Sequence, residues 1–127
     1  MCSRERVILG KLAEDLAVDT LERRGYAVLA RRYRTRHGEI DIVARDGPYL
    51  VFVEVKARRD GRCGQPGDAV TRLKQRRIAL MALRYLGRRR LRDQPCRFDV
   101  VSVLWPDGEA PRVEVIQGAF DAPAAGW

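Results

Sequence analysis

The sequence has few of the residues that crosslink a protein or bind zinc. Among its 127 residues it contains three cysteines, Cys2, Cys63 and Cys96, and one histidine, His37. No Cys-x-x-Cys pair occurs, which excludes a zinc site of the usual cysteine and histidine type. An odd number of scattered cysteines fits a reducing cytosol better than a disulfide framework. We therefore expect a fold that is held together by its core alone.

Long hydrophobic runs are also missing. The longest apolar stretches, such as residues 78–83, are far shorter than the roughly 18 residues that a membrane span needs. No hydrophobic segment follows the charged first residues, which argues against secretion. We expect a cytoplasmic protein without membrane association. Its length fits one domain over residues 1–127, with a core over about 7–120 and a weakly structured tail over 117–127.

Acidic residues are outnumbered by basic ones. There are 25 lysines and arginines against 17 aspartates and glutamates, which gives a formal net charge of +8 at pH 7. Such a charge favours binding to a polyanion, of which nucleic acid is the commonest in a cytosol. Only Lys11, Lys56 and Lys74 are lysines. Arginine suits phosphate recognition, but a GC-rich genome would produce the same excess, so composition leaves both explanations open.

Hydrophobic periodicity predicts two helices and five strands. Apolar residues at three- and four-residue steps predict a first helix over 7–24, ended by Gly25. A second helix is predicted over about 68–87, capped by Asp68, after a mobile basic loop over 57–67. The segments typical of strands are 26–34, 38–45, 50–56, 97–104 and 113–116. The order αβββαββ indicates an α/β protein with a mixed sheet flanked by helices.

Charged residues interrupt two adjacent predicted strands. Residues two apart on a strand share a face, so Glu54 and Lys56 project together. A four-residue loop between the strands would pair Arg45 with Leu50. The same register would place Asp41 opposite Glu54, with Cβ atoms about 4.5–5.5 Å apart. Two carboxylates that close repel each other unless a cation lies between them, and Mg²⁺ is such a cation.

A metal ion at this carboxylate pair would have a clear chemical use. Together with the ammonium of Lys56 it would stabilise the charge that develops during phosphodiester hydrolysis. The alternative is a solvated ion pair at the end of a strand, which contributes little. A Glu-x-Lys triplet is common by chance, so the residues alone leave both interpretations open.

Longer segments around these residues resemble the YraN-like family of small bacterial proteins. The resemblance rests on residues 38–44 (GEIDIVA) and 50–58 (LVFVEVKAR), on Gly10 and 13–17 in the first helix, and on 74–77 and 97–101. It covers about residues 8–120. That family is predicted to belong to the PD-(D/E)XK nuclease superfamily, which includes archaeal Holliday junction resolvases. The resemblance therefore implies a three-layer restriction-endonuclease-like fold.

The resemblance also implies roles for particular residues. Asp41, Glu54 and Glu14 would bind Mg²⁺, with Mn²⁺ as the other candidate ion. The backbone carbonyl of Val55 would be a further ligand, and Lys56 would be the catalytic lysine. The roles of Glu14 and of the Val55 carbonyl follow from the family pattern alone, whereas Asp41, Glu54 and Lys56 are also candidates because of their positions on the two strands.

Further candidates lie outside the carboxylate pair. Gln75 is one, because some superfamily nucleases place a glutamine on the equivalent helix near the active site; a hydrogen bond to backbone is its alternative role. Seven arginines on either side of the two strands are candidates for holding phosphates, with a solvated basic face as the alternative. They are Arg31, Arg32, Arg34, Arg36, Arg58, Arg59 and Arg62.

Three functions remain in competition. The first is a magnesium-dependent endonuclease acting on DNA, with branched DNA as a candidate substrate and RNA as an alternative. The second is a non-catalytic nucleic-acid-binding protein that keeps a nuclease fold, and the third is a structural role. Fold-related resolvases act as dimers because a four-way junction is twofold symmetric, but nothing in this sequence marks the dimer face of a homodimer.

Overall fold

The computed structural model describes residues 3–59, 70–91 and 93–121. The elements are α1 (Ser3–Arg23), β1 (Ala27–Thr35), β2 (Gly38–Asp46), β3 (Tyr49–Arg58), α2 (Arg72–Arg88), β4 (Cys96–Leu104) and β5 (Arg112–Phe120). The strands form one sheet in the order β1-β2-β3-β4-β5. Strands β3 and β4 run parallel and all other neighbours are antiparallel. The α/β class and the mixed sheet predicted from the sequence are thus confirmed.

The two helices cover opposite faces of the sheet. Helix α1 packs Ala13, Ala17 and Leu21, which are four residues apart, on the face that carries Val51 of β3. Helix α2 packs on the other face, which carries the neighbouring Leu50. The residues that α2 buries there are Ile78, Ala79, Met81, Ala82 and Tyr85. In the described part of the chain, no helix is both long enough and apolar enough to cross a membrane.

Helix α2 begins four residues later than the sequence pattern predicts. Thr71 is its N-cap, because the threonine side chain accepts a hydrogen bond from the backbone N–H of Lys74 at 3.2 Å. A threonine at this position satisfies one of the free N–H groups in the first turn. The prediction of a start at residue 68 was therefore wrong. Asp68, the predicted cap, lies outside the described residues.

The last strand is longer than predicted. The alternating pattern ends at residue 116 and the sequence predicts a weakly structured tail from 117, but β5 continues to Phe120. The Phe120 ring stacks on Phe98 of β4 with centroids 5.0 Å apart. Pairing with β4 extends the strand beyond residues 113–116, which are the residues with an alternating pattern. The prediction of a weakly structured tail was therefore wrong for residues 117–120.

The buried carboxylate of Asp99 is the centre of a hydrogen-bond network at the end of the sheet where β4 begins. Asp99 is fully buried and accepts hydrogen bonds from the Tyr26 hydroxyl at 2.8 Å and the Gly118 N–H at 3.0 Å. Two nitrogens of the Arg97 guanidinium also donate to Asp99, each at 2.9 Å. Arg97 reaches Asp46 of the hairpin at 2.8 Å as well. This network joins the start of β1 to β2, β4 and β5.

Candidate active site

The β2–β3 hairpin sets the register of the candidate site. Arg45 pairs with Leu50, which confirms this part of the predicted register. The next pair along also forms, so the turn contains two residues and not four. In the other direction the antiparallel ladder ends at Ile42 and Val53, so the predicted pairing of Asp41 with Glu54 is not part of it. The next two residues, one on each strand, are the predicted metal-binding carboxylates.

The alternation of β2 breaks at Asp41. The sequence pattern predicts Ile40 and Ile42 on one face, but Ile40 packs in the core beneath α2 and Ile42 in the core beneath α1. In place of a ladder contact, Asp41 Oδ2 accepts a hydrogen bond from the Val55 N–H at 2.8 Å. Because it lies at this break, Asp41 borders a cavity on each face of the sheet.

The cavity on the α2 face contains both carboxylates. It has a volume of about 490 Å³, and its polar lining residues include His37, Glu39, Asp41, Glu54, Thr71, Lys74 and Arg77. Glu54 is only 5% exposed and forms an ion pair with Lys74 of α2. Lys56 projects on the same face of β3, half-buried and next to Lys74. Two carboxylates and two ammonium groups therefore meet at this point.

The charged groups in and beside this cavity shift one another's pKa values. Burial, reinforced by the charge of Glu54, raises the pKa of Asp41 to about 7. Burial and the neighbouring Lys74 lower the pKa of Lys56. Burial alone would lower the pKa of Lys74, but the ion pair with Glu54 outweighs it and the net shift is upward. The carboxylates thus repel each other, and a cation between them would relieve that repulsion.

The carboxylate pair fits a hard divalent cation. Asp41 and Glu54 supply the oxygen ligands that magnesium prefers, and magnesium is commonly held by one or two carboxylates with water and phosphate in the other positions. Within residues 3–59, 70–91 and 93–121, no group of three or more His, Cys, Asp or Glu side chains could hold a metal ion. An ion bound here would depend on water or substrate oxygens to complete its coordination.

Glu14 lies on the opposite face of the sheet from Glu54. It lines a second cavity of about 260 Å³, which Asp41 also borders. Its carboxylate oxygens accept hydrogen bonds from Arg31 Nε at 2.9 Å and Arg32 Nε at 3.0 Å. Glu14 therefore approaches the site from the α1 side, with its charge balanced by two guanidinium groups. Its implied role as a metal ligand requires these bonds to rearrange and stays a prediction.

Most of the predicted phosphate-binding arginines are already paired with acids. Four of them, Arg31, Arg32, Arg34 and Arg59, form ion pairs with Glu14, Asp15, Glu39 or Asp107. Arg36 is exposed and Arg58 is half-buried, while Arg62 lies outside the described residues. Part of the positive charge that flanks the two strands in the sequence is thus balanced by carboxylates in the fold.

Two residues of α2 differ from the sequence expectation. The Gln75 side-chain amide donates to the Val70 carbonyl oxygen at 3.0 Å, which is the backbone hydrogen bond named as its alternative role. Lys74 was missed as a site residue. The signal was available in the sequence. Lysine is rare in this arginine-rich chain, and Lys74 is as unusual in that respect as Lys56. The Val55 carbonyl oxygen stays a predicted ligand.

Replacing Asp41 by asparagine should stabilise the metal-free protein at alkaline pH. The pKa of Asp41 is raised from its ordinary value of 3.8 to about 7 in the folded protein. The wild-type protein therefore loses folding stability as the pH rises from about 3.8 to about 7, whereas asparagine does not titrate. We expect an advantage for Asp41→Asn on the order of 2 kcal/mol at pH 8, shrinking toward pH 4. Urea unfolding in chelator at several pH values measures it.

The exposed Asp19→Asn variant is the control for this experiment, and its stability should follow that of the wild type. Millimolar Mg²⁺ should stabilise the wild type at pH 8 and leave Asp41→Asn unchanged. Parallel pH profiles for the wild type and Asp41→Asn would show that Asp41 ionises normally.

Comparison with known proteins identifies relatives along most of the chain. A family model described as "Uncharacterised protein family UPF0102" matches residues 13–103. A UPF0102 protein of Symbiobacterium thermophilum is 51% identical over 115 residues, which cover 90% of this chain and 97% of the relative. UPF0102 proteins of Geotalea uraniireducens and Geobacter sulfurreducens are 48% identical over 113 residues and 49% identical over 119 residues. These matches cover 89% of both chains in the first case, and 94% of this chain and 93% of the relative in the second.

Proposed function

The chain belongs to the uncharacterised protein family UPF0102, and we propose that it is a divalent-metal-dependent endonuclease that hydrolyses phosphodiester bonds in DNA. The proposal includes the finer fold assignment, a restriction-endonuclease-like domain of the PD-(D/E)XK superfamily. The cofactor would be Mg²⁺ or Mn²⁺. Branched DNA is the candidate substrate that the family resemblance suggests.

One observation carries this proposal. Asp41 and Glu54 converge in a cavity beside Lys56, although burial and mutual repulsion make that arrangement costly for the carboxylates. Costly clusters of ionisable groups in a cleft are typical of functional sites. A site that only bound phosphate would be expected to present positive charge alone.

The side chains would divide the chemistry among them. Asp41 and Glu54 would hold the metal ion, which when bound polarises the phosphate and acidifies a water molecule. A water oxygen would attack phosphorus and lose a proton, while the bond to the leaving oxygen would break and that oxygen would take up a proton. Lys56 would donate a hydrogen bond to the phosphoryl oxygen on which negative charge develops. Glu54 could bind the metal ion only if its ion pair with Lys74 were given up.

A non-catalytic nucleic-acid-binding protein is the second candidate. The observation that favours it is the ion pair between Lys74 and Glu54, which already neutralises one carboxylate. The arginine pairs that balance Glu14 point the same way. In this alternative the two carboxylates would be structural and no divalent ion would be needed.

A cleavage assay separates the two candidates. Purified protein should cut at least one form of DNA, among linear duplex, single-stranded and four-way-junction molecules, in Mg²⁺ or Mn²⁺. Cleavage should stop in chelator, because the carboxylate pair then lacks its ion. RNA of matched sequence tests the alternative substrate. If every nucleic acid stays intact in both ions while still binding in a salt-dependent manner, the binding-protein candidate is correct.

A further inference from the structure

Four of the seven arginines predicted to contact phosphate already form ion pairs with carboxylates. The guanidinium groups of Arg31 and Arg32 both form ion pairs with the buried Glu14, and Arg34 forms an ion pair with Glu39 at 2.9 Å. An arginine that is already paired with a carboxylate would have to break that pair before it could hold a phosphate. A nucleic acid that approaches the cavity would therefore bind more readily to basic side chains that are not paired with carboxylates.

Helix α2 provides such a surface. From Arg72 to Arg88 the helix contains six basic residues and no acidic residue. Arg77, Arg84 and Arg88 are all exposed, and their spacing of seven and four residues places them on one side of the helix. Within the described residues, none of these three arginines forms an ion pair with a carboxylate.

This row of arginines begins at the candidate active site. Arg77 lines the same cavity as Asp41 and Glu54, and Lys74, one turn earlier, contacts Glu54 directly. At about 1.5 Å per residue the row extends about 16 Å from Arg77 to Arg88. That length corresponds to about five nucleotides of one DNA strand, at about 3.4 Å of rise per phosphate.

We propose that Arg77, Arg84 and Arg88 form a track that binds the phosphate backbone of one DNA strand and leads it into the cavity. This inference rests on the proposed function for the identity of the nucleic acid. Contacts of this kind position a strand without reading its bases. The track therefore binds DNA independently of sequence and orients the strand along α2, with the scissile phosphate at the end that carries Lys74.

Two matched double variants test the track. Arg84→Ala/Arg88→Ala removes two arginines from the end of α2. Arg23→Ala/Arg24→Ala removes the last residue of α1 and the arginine that follows it, so both variants lose the same charge. In chelator at about 50 mM salt, the α2 variant should bind duplex DNA at least about 10-fold more weakly, and its slope of log affinity against log salt should fall by about 1.8. The α1 variant should stay within about threefold of the wild type.

The outcomes are distinct. Equal losses in both variants, or no loss in the α2 variant, would overturn the track. Arg84→Lys/Arg88→Lys should restore the salt slope, which a loss caused by misfolding would not allow, and thermal unfolding of every variant checks the fold. The binding assay contains no metal ion. If the α2 variant loses affinity while the wild type cuts no DNA, the track is supported and the endonuclease proposal is wrong. If the wild type cuts DNA but the α2 variant binds it normally, the endonuclease proposal is supported and the track is wrong.

Discussion

Replacing Lys56 by alanine is expected to lower the rate of DNA cleavage by on the order of 10²-fold or more, the scale of losing one preorganised electrostatic group. Both carboxylates stay in place, so metal binding should persist. DNA affinity should change by no more than a few-fold, because one phosphate contact among several contributes little. Single-turnover cleavage in Mg²⁺, paired with DNA binding in chelator, measures the two effects separately.

The control for Lys56 is Arg23→Ala, which removes one positive charge from an exposed helix end and should cut DNA at the wild-type rate. Lys56 and Lys74 are neighbours, so the corresponding Lys74→Ala variant shows which ammonium stabilises the developing charge. Wild-type rates in Lys56→Ala would exclude Lys56 from that role. A loss of affinity as large as the loss of rate would make it a binding residue.

Removing the carboxylate of Asp99 is expected to destabilise the fold by about 3–5 kcal/mol, the usual loss when one partner of a buried ion pair is deleted. Asp99→Ala would leave the Arg97 guanidinium, the Tyr26 hydroxyl and the Gly118 N–H without their acceptor. A domain of this size has a total stability of about 5–15 kcal/mol. Urea unfolding should therefore show a large fall in the midpoint or no cooperative transition.

A milder variant keeps this prediction testable if Asp99→Ala does not fold. Tyr26→Phe removes one donor to Asp99 and keeps the ring, so it should lower the free energy of unfolding by about 1 kcal/mol. The comparison is Asp107→Ala, whose side chain is 92% exposed in its pair with Arg59 and should leave the unfolding midpoint unchanged. Similar midpoints for all variants would show that the Asp99 network contributes little.

The local chemistry of the chain predicts much of this architecture. Apolar residues at helical spacing place Ala13, Ala17 and Leu21 on one face of α1, and these residues are buried as that spacing requires. Turn residues between two alternating segments predict the β2–β3 hairpin and the pairing of Arg45 with Leu50. These features depend on residues close together in sequence, so periodicity and turn chemistry are sufficient to predict them.

The element boundaries were harder to predict because neighbouring elements decide them. Strand β5 continues to Phe120 through its pairing with β4, and the alternation of β2 breaks where Asp41 bonds to the Val55 N–H. Both effects involve a second strand, whereas the sequence pattern describes one strand at a time.

By itself, the sequence determined that Asp41, Glu54 and Lys56 lie on adjacent strands, because a short hairpin leaves their register little freedom. Only the tertiary structure decided which charges surround them. The packing of α2 across the sheet brings Lys74 to Glu54, and the packing of α1 brings Glu14 to Arg31 and Arg32. These ion pairs join residues that are 17 to 20 positions apart in the sequence, so they depend on how the helices pack against the sheet. Hydrophobic burial determines that packing. The charged side chains then form ion pairs with whichever opposite charges the packing brings close.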